Sequence, residues 1–144
     1  MIIAIGIDIG DVRVGLAVSD ELGMLAHPLE TVDIRKKDPV GRIRELVAER
    51  RASVLVVGLP RNMDGSYGSA AEKAREFAKK LREGTECRVV LWDERLTTVA
   101  ASRSLRDSGQ KAKQQKPLID QVAAQHILQG WLDAEAAKGE FGAI

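Results

Sequence analysis

The chain has 144 residues, of which 44% are hydrophobic, and this length and composition predict one domain with a single core. Lysine and arginine together number 22 against 21 aspartates and glutamates, which excludes a molecule-wide basic field and confines any nucleic-acid contact to local patches. Aromatic residues make up only 3%, so a base-stacking platform is not expected, and the single cysteine, Cys87, excludes an internal disulfide and a cysteine-based zinc site.

The first twenty residues predict two strands joined by a tight turn. Residues 2–7 (IIAIGI) are apolar without alternation, as in a strand buried on both faces. In residues 12–18 the large apolar side chains of Val12, Val14, Leu16 and Val18 alternate with Arg13, Gly15 and Ala17, which also predicts a strand. Asp8 therefore falls at the end of a buried strand, beside a turn that contains Gly10 and Asp11. A carboxylate buried there is costly unless a positive charge pairs with it, so we expect other acids to share a cation with Asp8.

The middle of the chain predicts an edge strand and then alternating helices and strands. Residues 25–32 contain Pro28, which places a third strand at a sheet edge, and Pro39 begins a helix with an apolar face. Residues 54–58 are typical of a central parallel strand. The turn-rich loop at 59–66 follows the carboxyl end of that strand, where open α/β sheets usually bind ligands.

The remaining residues predict three helices around one more strand. An amphipathic helix ends at Gly84, a strand covers residues 87–92, and a further helix covers about residues 98–107. Residues 110–116 contain three lysines and no acid, which indicates a loop, and Pro117 begins the last helix. The buried face of that helix is expected to contain Ile119, Val122, Ala123, Ile127, Trp131 and Ala134.

Three strands followed by alternating helices and strands predict an α/β fold, a mixed five-stranded sheet with helices on both faces. Residues 1–138 are expected to form this single domain, and residues 139–144 a frayed tail. No segment has the length and apolar character of a membrane helix or a leader, so we expect a cytoplasmic protein with no membrane contact.

Three carboxylates occupy positions from which they can meet. Asp8 ends the first strand, Glu94 follows the last strand, and Asp120 lies in the first turn of the last helix on an otherwise apolar segment. If the first and last strands are parallel near the sheet centre, Asp8 and Glu94 emerge at the same end, within reach of Asp120. Three such oxygen ligands suit Mg²⁺ or Mn²⁺. These ions can activate a water molecule and stabilise the leaving oxygen of a phosphodiester.

Each of these acids also has a purely structural explanation. Asp8 can be a turn former, and Glu94 can pair with Arg95 at the surface. Asp120 can be an ordinary first-turn acid that the helix dipole favours. Both explanations stay open for each residue.

Several cations could contact the phosphates of a nucleic acid, which would give affinity and position but no sequence readout. The lysines among them have a solvated loop as their alternative explanation. The candidates are Arg13, Arg61, Arg95, Lys111, Lys113 and Lys116.

Four segments of the chain resemble the YqgF family, also called RuvX, in the family's order. They are GIDIG with RVGLAVSD (6–10 and 13–20), VGLPRNMDGS (57–66), DERLTT (93–98), and DQVAA leading into IL (120–124 and 127–128). The resemblance spans nearly the whole chain and implies a ribonuclease H-like fold and a metal-dependent nuclease. It places the metal-binding catalytic acids on Asp8, Glu94 and Asp120.

The resemblance implies two substrates, branched DNA as for Holliday junction resolvases, or the 5′ end of precursor 16S ribosomal RNA. Related resolvases carry a fourth acid on the last helix, whereas here Val122, Ala123 and Ala124 follow Asp120. A junction enzyme needs two active sites and hence a dimer, while an RNA-end trimmer can work as a monomer. Because no apolar stripe is left for a large dimer interface, the sequence favours RNA processing by a monomer or weak homodimer.

Two other functions are compatible with parts of this pattern. Asp8-Ile9-Gly10 also resembles the phosphate loop of the actin and sugar-kinase superfamily, but those enzymes need two such domains and this chain has room for one. A non-catalytic nucleic-acid-binding factor is the second alternative. It has no need of three buried acids, which would repel phosphate in the absence of a metal.

Overall fold

The computed structural model describes residues 2–62, 64–94 and 112–142, with side chains described from residue 119 to residue 138 in the last segment. Its strands are β1 (Ala4–Ile9), β2 (Arg13–Ser19), β3 (Ala26–Asp33), β4 (Val54–Leu59) and β5 (Arg88–Asp93). Its helices are α1 (Pro39–Arg50), α2 (Ser69–Gly84) and α3 (Ala112–Gly142). The helix predicted at 98–107 lies outside the described residues, as do Arg95 and Lys111.

The described strands form one five-stranded sheet in the order β3-β2-β1-β4-β5. β1 pairs antiparallel with β2 and parallel with β4, and β4 pairs parallel with β5. The predicted mixed sheet is therefore confirmed, with Pro28 on the edge strand β3. β1 is central as expected, but β5 lies at the opposite edge with β4 between them, so the two strands that carry acids are not neighbours.

Helices cover both faces of the sheet, as predicted. One core combines Ile5 and Ile7 of β1 with Ile43 of α1 and Leu81 of α2. The core on the other face packs α3 against the sheet, since Ala4 of β1 lies there with the buried residues of the helix. Those helix residues recur at helical spacing: Ala123, Ala124, Ile127, Leu128, Trp131 and Leu132.

The first helix begins where the sequence predicts. Asp38 is its N-cap, and the Asp38 side chain accepts a hydrogen bond from the Gly41 backbone N–H, with Pro39 as the first helical residue. Proline at this position lacks only an N–H that has no partner inside the helix.

The last helix is longer than predicted. It begins at Ala112 and not at Pro117, so the loop predicted at 110–116 is wrong for residues 112–116, because this AKQQK segment consists of strong helix formers. Lys113 and Lys116 therefore lie on the helix. The backbone also stays helical to Gly142, past the predicted tail boundary at residue 138. None of the described helices is both long and apolar enough to cross a membrane.

Candidate active site

Asp8 lies near the carboxyl end of the central strand and faces α3. Gly6, two residues earlier on β1, faces that helix, because a Cβ atom there would lie 2.6 Å from Leu128 Cβ. Residues two apart on a strand share a face, so the Asp8 side chain is on the same side. The residue is only 1% exposed. The strand therefore carries a carboxylate into the interface between sheet and helix.

Glu94 reaches toward Asp8 across β4. It follows β5 directly and is 6% exposed. Its Oε1 atom lies 3.0 Å from the position that a Cβ atom on Gly58 would take. Ile7 pairs with Val57, and continuing this register places Gly58 beside Asp8. The missing side chain at Gly58 thus leaves space for the Glu94 carboxylate over the strand that separates it from Asp8.

Asp120 approaches Asp8 from the other side. It is 3% exposed, and its backbone lies directly on Gly15 of β2, where a Cβ atom would be 2.1 Å from the Asp120 carbonyl oxygen. Gly15 is the residue that pairs with Asp8. One row across three strands therefore has Asp8 between two glycines, and each glycine makes room for one of the other two acids.

Arg13 pairs with Asp120. Its Nε donates a hydrogen bond to Asp120 Oδ2 at 2.9 Å, and its side chain is 26% exposed against 4% for the aspartate. Arg13 precedes Gly15 by two residues and so lies on the same face of β2. A buried carboxylate needs such a partner, since its charge is costly to desolvate.

The described residues contain no group of three or more His, Cys, Asp or Glu side chains already arranged to hold a metal ion. Asp8 nevertheless lies buried in this row, the buried acids Asp120 and Glu94 reach it from either side, and Asp120 is held by an arginine. Carboxylate oxygens without thiols or imidazoles are the donor chemistry of hard divalent cations. The residues present fit such a cation by their donors and burial.

Arg61, predicted to contact phosphate, makes several contacts within the chain. Its Nε and Nη2 donate to the Gly65 carbonyl oxygen, and its Nη1 lies 3.4 Å from Asp93 Oδ2. Its guanidinium also stacks over the Tyr67 ring, with Cζ 4.4 Å from the centroid. Arg61 thus holds the loop after β4 against the end of β5, one residue before Glu94.

The other predicted site residues divide by location. Arg95 and Lys111 lie outside the described residues, and Lys113 and Lys116 lie in the first turns of α3, where the backbone alone is described. Their roles stay predictions.

Sequence reasoning missed the two glycines, Gly15 and Gly58, and the pair between Arg13 and Asp120. A glycine inside a strand is a known sign of close approach, so this signal was available for the first two.

Comparisons with known proteins bear on the family. The chain matches the family model described as RuvX, Holliday junction resolvase, over residues 2–134. A protein of Nocardia farcinica that carries the provisional name pre-16S rRNA nuclease is 52% identical over 141 residues, covering 92% of this chain and 78% of its own length. A protein of Acetivibrio thermocellus with the same name is 46% identical over 134 residues, covering 91% and 95%.

Among solved structures, T. thermophilus RuvC in complex with a Holliday junction substrate resembles this chain with a TM-score of 0.56 and 19% identity. The match covers 94% of this chain and 96% of that one. At this identity the likeness concerns the fold alone. RuvC has the ribonuclease H-like fold, so the prediction of that fold is confirmed.

Proposed function

The chain belongs to the RuvX family, and on this basis we propose that it is a metal-dependent nuclease that hydrolyses phosphodiester bonds in the 5′ end of precursor 16S ribosomal RNA. The observation that carries this proposal is the strand row in which Asp8 lies between Gly15 and Gly58, with Asp120 and Glu94 over the two glycines. Three buried carboxylates repel one another without a cation, so a stable fold gains little from this arrangement. A nuclease that works with a divalent cation makes use of it, because the cation offsets the repulsion and supplies the chemistry.

The proposed roles follow from the side chains. Asp8, Glu94 and Asp120 would hold Mg²⁺ or Mn²⁺, which when bound supplies an activated water and stabilises the leaving oxygen. Burial of the three acids removes bulk water, which strengthens each electrostatic interaction at the site. Arg13 balances the charge of Asp120 in the free protein and, being partly exposed, can turn to a substrate phosphate.

The choice between RNA and branched DNA rests on the relatives. Those named above carry an rRNA nuclease name, whereas the family description refers to Holliday junctions. The described surface includes an apolar tip, formed by Ile2, Leu22, Met24 and Leu25, each more than half exposed. This surface is compatible with a homodimer, so the preference for RNA rests on the names of the relatives.

The proposal is tested by offering a precursor 16S RNA fragment and a four-way DNA junction side by side, with Mg²⁺ or Mn²⁺, to the wild type and to Asp8→Asn. We expect RNA trimming by the wild type and none by the variant, while the variant folds as well or better because a buried negative charge is gone. Full activity of Asp8→Asn would contradict the site assignment.

Two other results would change the assignment of function. Symmetric cutting of the junction would indicate a resolvase and predict a dimer in solution. Absence of both activities, with nucleic-acid binding that persists undiminished in chelator, would indicate a non-catalytic factor.

A further inference from the structure

The basic residues of helix α2 lie on its two flanks, and its acidic residues lie between them on the outward side. At about 3.6 residues per turn, Arg75, Lys79 and Arg82 share one flank of the helix. The acids Glu72, Glu76 and Glu83 lie further round, on the outward side. The Arg82 Nη2 atom lies 3.4 Å from the Val89 carbonyl oxygen, so the basic flank is the one next to β5. We call Arg75, Lys79 and Arg82 the basic flank.

The basic flank is open to an anion. All three side chains are exposed, and within the described parts of the chain neither Arg75 nor Lys79 has a carboxylate in ion-pair range. Arg42 of the neighbouring helix α1 differs in this respect, because it is half-buried and forms an ion pair with Glu30. Cations that form no ion pair within the protein can bind phosphates, because every contact then adds attraction without displacing a partner.

A chain of contacts connects the basic flank to the acids. The Arg75 guanidinium lies over the Tyr67 ring, with Cζ 4.5 Å from the centroid, and Arg61 lies over the same ring. Arg61 in turn is paired with Asp93, the residue before Glu94. Tyr67 is 44% exposed, so this ring holds Arg75 at the surface beside the end of the sheet where the acids lie.

From this arrangement we propose that the basic flank binds the phosphodiester backbone of the substrate strand as it leaves the acids. The proposal rests on the proposed nuclease function. Arg75 and Arg82 are separated by about 10 Å along the helix, at about 1.5 Å per residue. That length corresponds to about three nucleotides, at about 3.4 Å per nucleotide as in one strand of B-DNA. The surface therefore suits a short stretch of backbone and reads no bases.

The test measures binding separately from cleavage. In the Asp8→Asn background with Mg²⁺, Arg75→Gln with Lys79→Gln removes two charges from the basic flank. The matched control is Lys73→Gln with Lys80→Gln, which removes two charges from the opposite flank of the same helix. Dissociation constants for short fluorescent single strands of RNA and of DNA are measured by anisotropy over a range of salt concentrations.

We expect the flank variant to bind roughly tenfold more weakly than the background at physiological salt, with little change for the control. The slope of log K against log salt should fall by about 1.4, because each phosphate contact with a single strand contributes about 0.7. Equal losses for RNA and DNA are expected from backbone contacts. A loss confined to RNA or to DNA would contradict a contact made through the phosphodiester backbone alone.

A substrate series locates the contact on the strand. Shortening the oligonucleotide on one side of the cleavage position should weaken its binding to the Asp8→Asn background protein. The same shortening should not affect binding to the flank variant, because that variant already lacks the contacts with the removed phosphates. Equal affinities and slopes for the flank variant and the control would overturn the proposal. That result is separate from a failure of the proposed function, which appears as absence of cleavage by the wild type.

Discussion

Gly58 determines where the Glu94 carboxylate can lie. A Cβ atom at this position would be 3.0 Å from Glu94 Oε1 and 2.4 Å from Ile127 Cδ1. Since Cδ1 is the end of a flexible side chain, we expect Gly58→Ala to fold with a loss of about 1–3 kcal/mol. The displaced carboxylate should lower the cleavage rate by about 10²-fold, as misplacement by about 1 Å does. Single-turnover cleavage and urea unfolding measure the two effects.

A second substitution separates packing from chemistry. Ile127→Val removes Cδ1, so Gly58→Ala with Ile127→Val should recover most of the lost stability. The contact with Glu94 remains in the double variant, and its cleavage rate should stay low. Recovery of the rate together with the stability would show that Gly58 matters for packing alone.

The sequence predicted those site residues whose chemistry differs clearly from that of their neighbours in the chain. Asp8 and Asp120 stand out as charges in apolar segments, and the structure buries both. Glycine is less informative, because the same residue occurs in turns, in helix caps and where two segments approach closely. The role of Gly58 could be recognised only once the positions of the neighbouring strands were known. The ion pair of Arg13 with Asp120 joins distant parts of the chain and depends on how α3 packs on β2.

A bidentate ion pair ties the edge strand β3 to α1. Arg42 Nε and Nη2 lie 2.7 and 2.9 Å from the two Glu30 carboxylate oxygens. The hydrogen bond from Arg42 lowers the pKa of Glu30 below its usual value of 4.5. A lowered pKa in the folded state means that the pair stabilises the fold above the unfolded pKa, and that this stabilisation is lost as pH falls through the folded pKa.

We expect Glu30→Gln to be less stable than the wild type by roughly 0.5–1 kcal/mol near pH 7, since the pair is partly exposed. The difference should shrink as pH falls below the usual pKa of glutamate and then through the lowered pKa of Glu30, because Glu30 then becomes protonated in the wild type as well. Urea unfolding at several pH values measures it, with Glu21→Gln as the control at an exposed glutamate. A difference that does not vary with pH would contradict the role of the ion pair.

The strands and helices themselves were more predictable from the sequence than their exact limits and their places in the fold. Alternation and apolar runs identified all five described strands and the first two helices, because burial imposes these periods directly. Helix start signals were less reliable, since α3 continues five residues before Pro117 through residues that favour helix. The place of β5 at the sheet edge was not predictable, because a parallel strand can join on either side of the strand before it.

At the scale of the whole molecule, charge and apolar surface are separated along the strands. The acids lie near the carboxyl end of β1, and the apolar tip at the β2–β3 turn lies at the opposite end. Lysine and arginine exceed aspartate and glutamate by one. Nucleic-acid binding must therefore depend on local groups such as the basic flank. A partner protein at the apolar tip would leave the acids accessible.

The buried acids make the stability of the whole fold depend on a cation. If Asp8, Glu94 and Asp120 bind Mg²⁺ in the folded state alone, the ion stabilises the protein by about 2.7 kcal/mol at a concentration 100 times its dissociation constant. We expect the melting temperature of the wild type to rise with Mg²⁺, and that of Asp8→Asn to change little. Calorimetry or circular dichroism in chelator and in Mg²⁺ measures the shift without any substrate.

The variant Arg13→Gln tests whether the Mg²⁺-dependent stabilisation arises at Asp120. In chelator this variant lacks the hydrogen-bonded ion pair between Arg13 and the Asp120 carboxylate, which is 4% exposed, and this loss should cost about 1–3 kcal/mol. Mg²⁺ should recover more stability in Arg13→Gln than in the wild type, because the ion no longer competes with the guanidinium for Asp120. Equal Mg²⁺ shifts in the wild type, Arg13→Gln and Asp8→Asn would mean that the ion binds elsewhere, and that the three carboxylates are not its ligands.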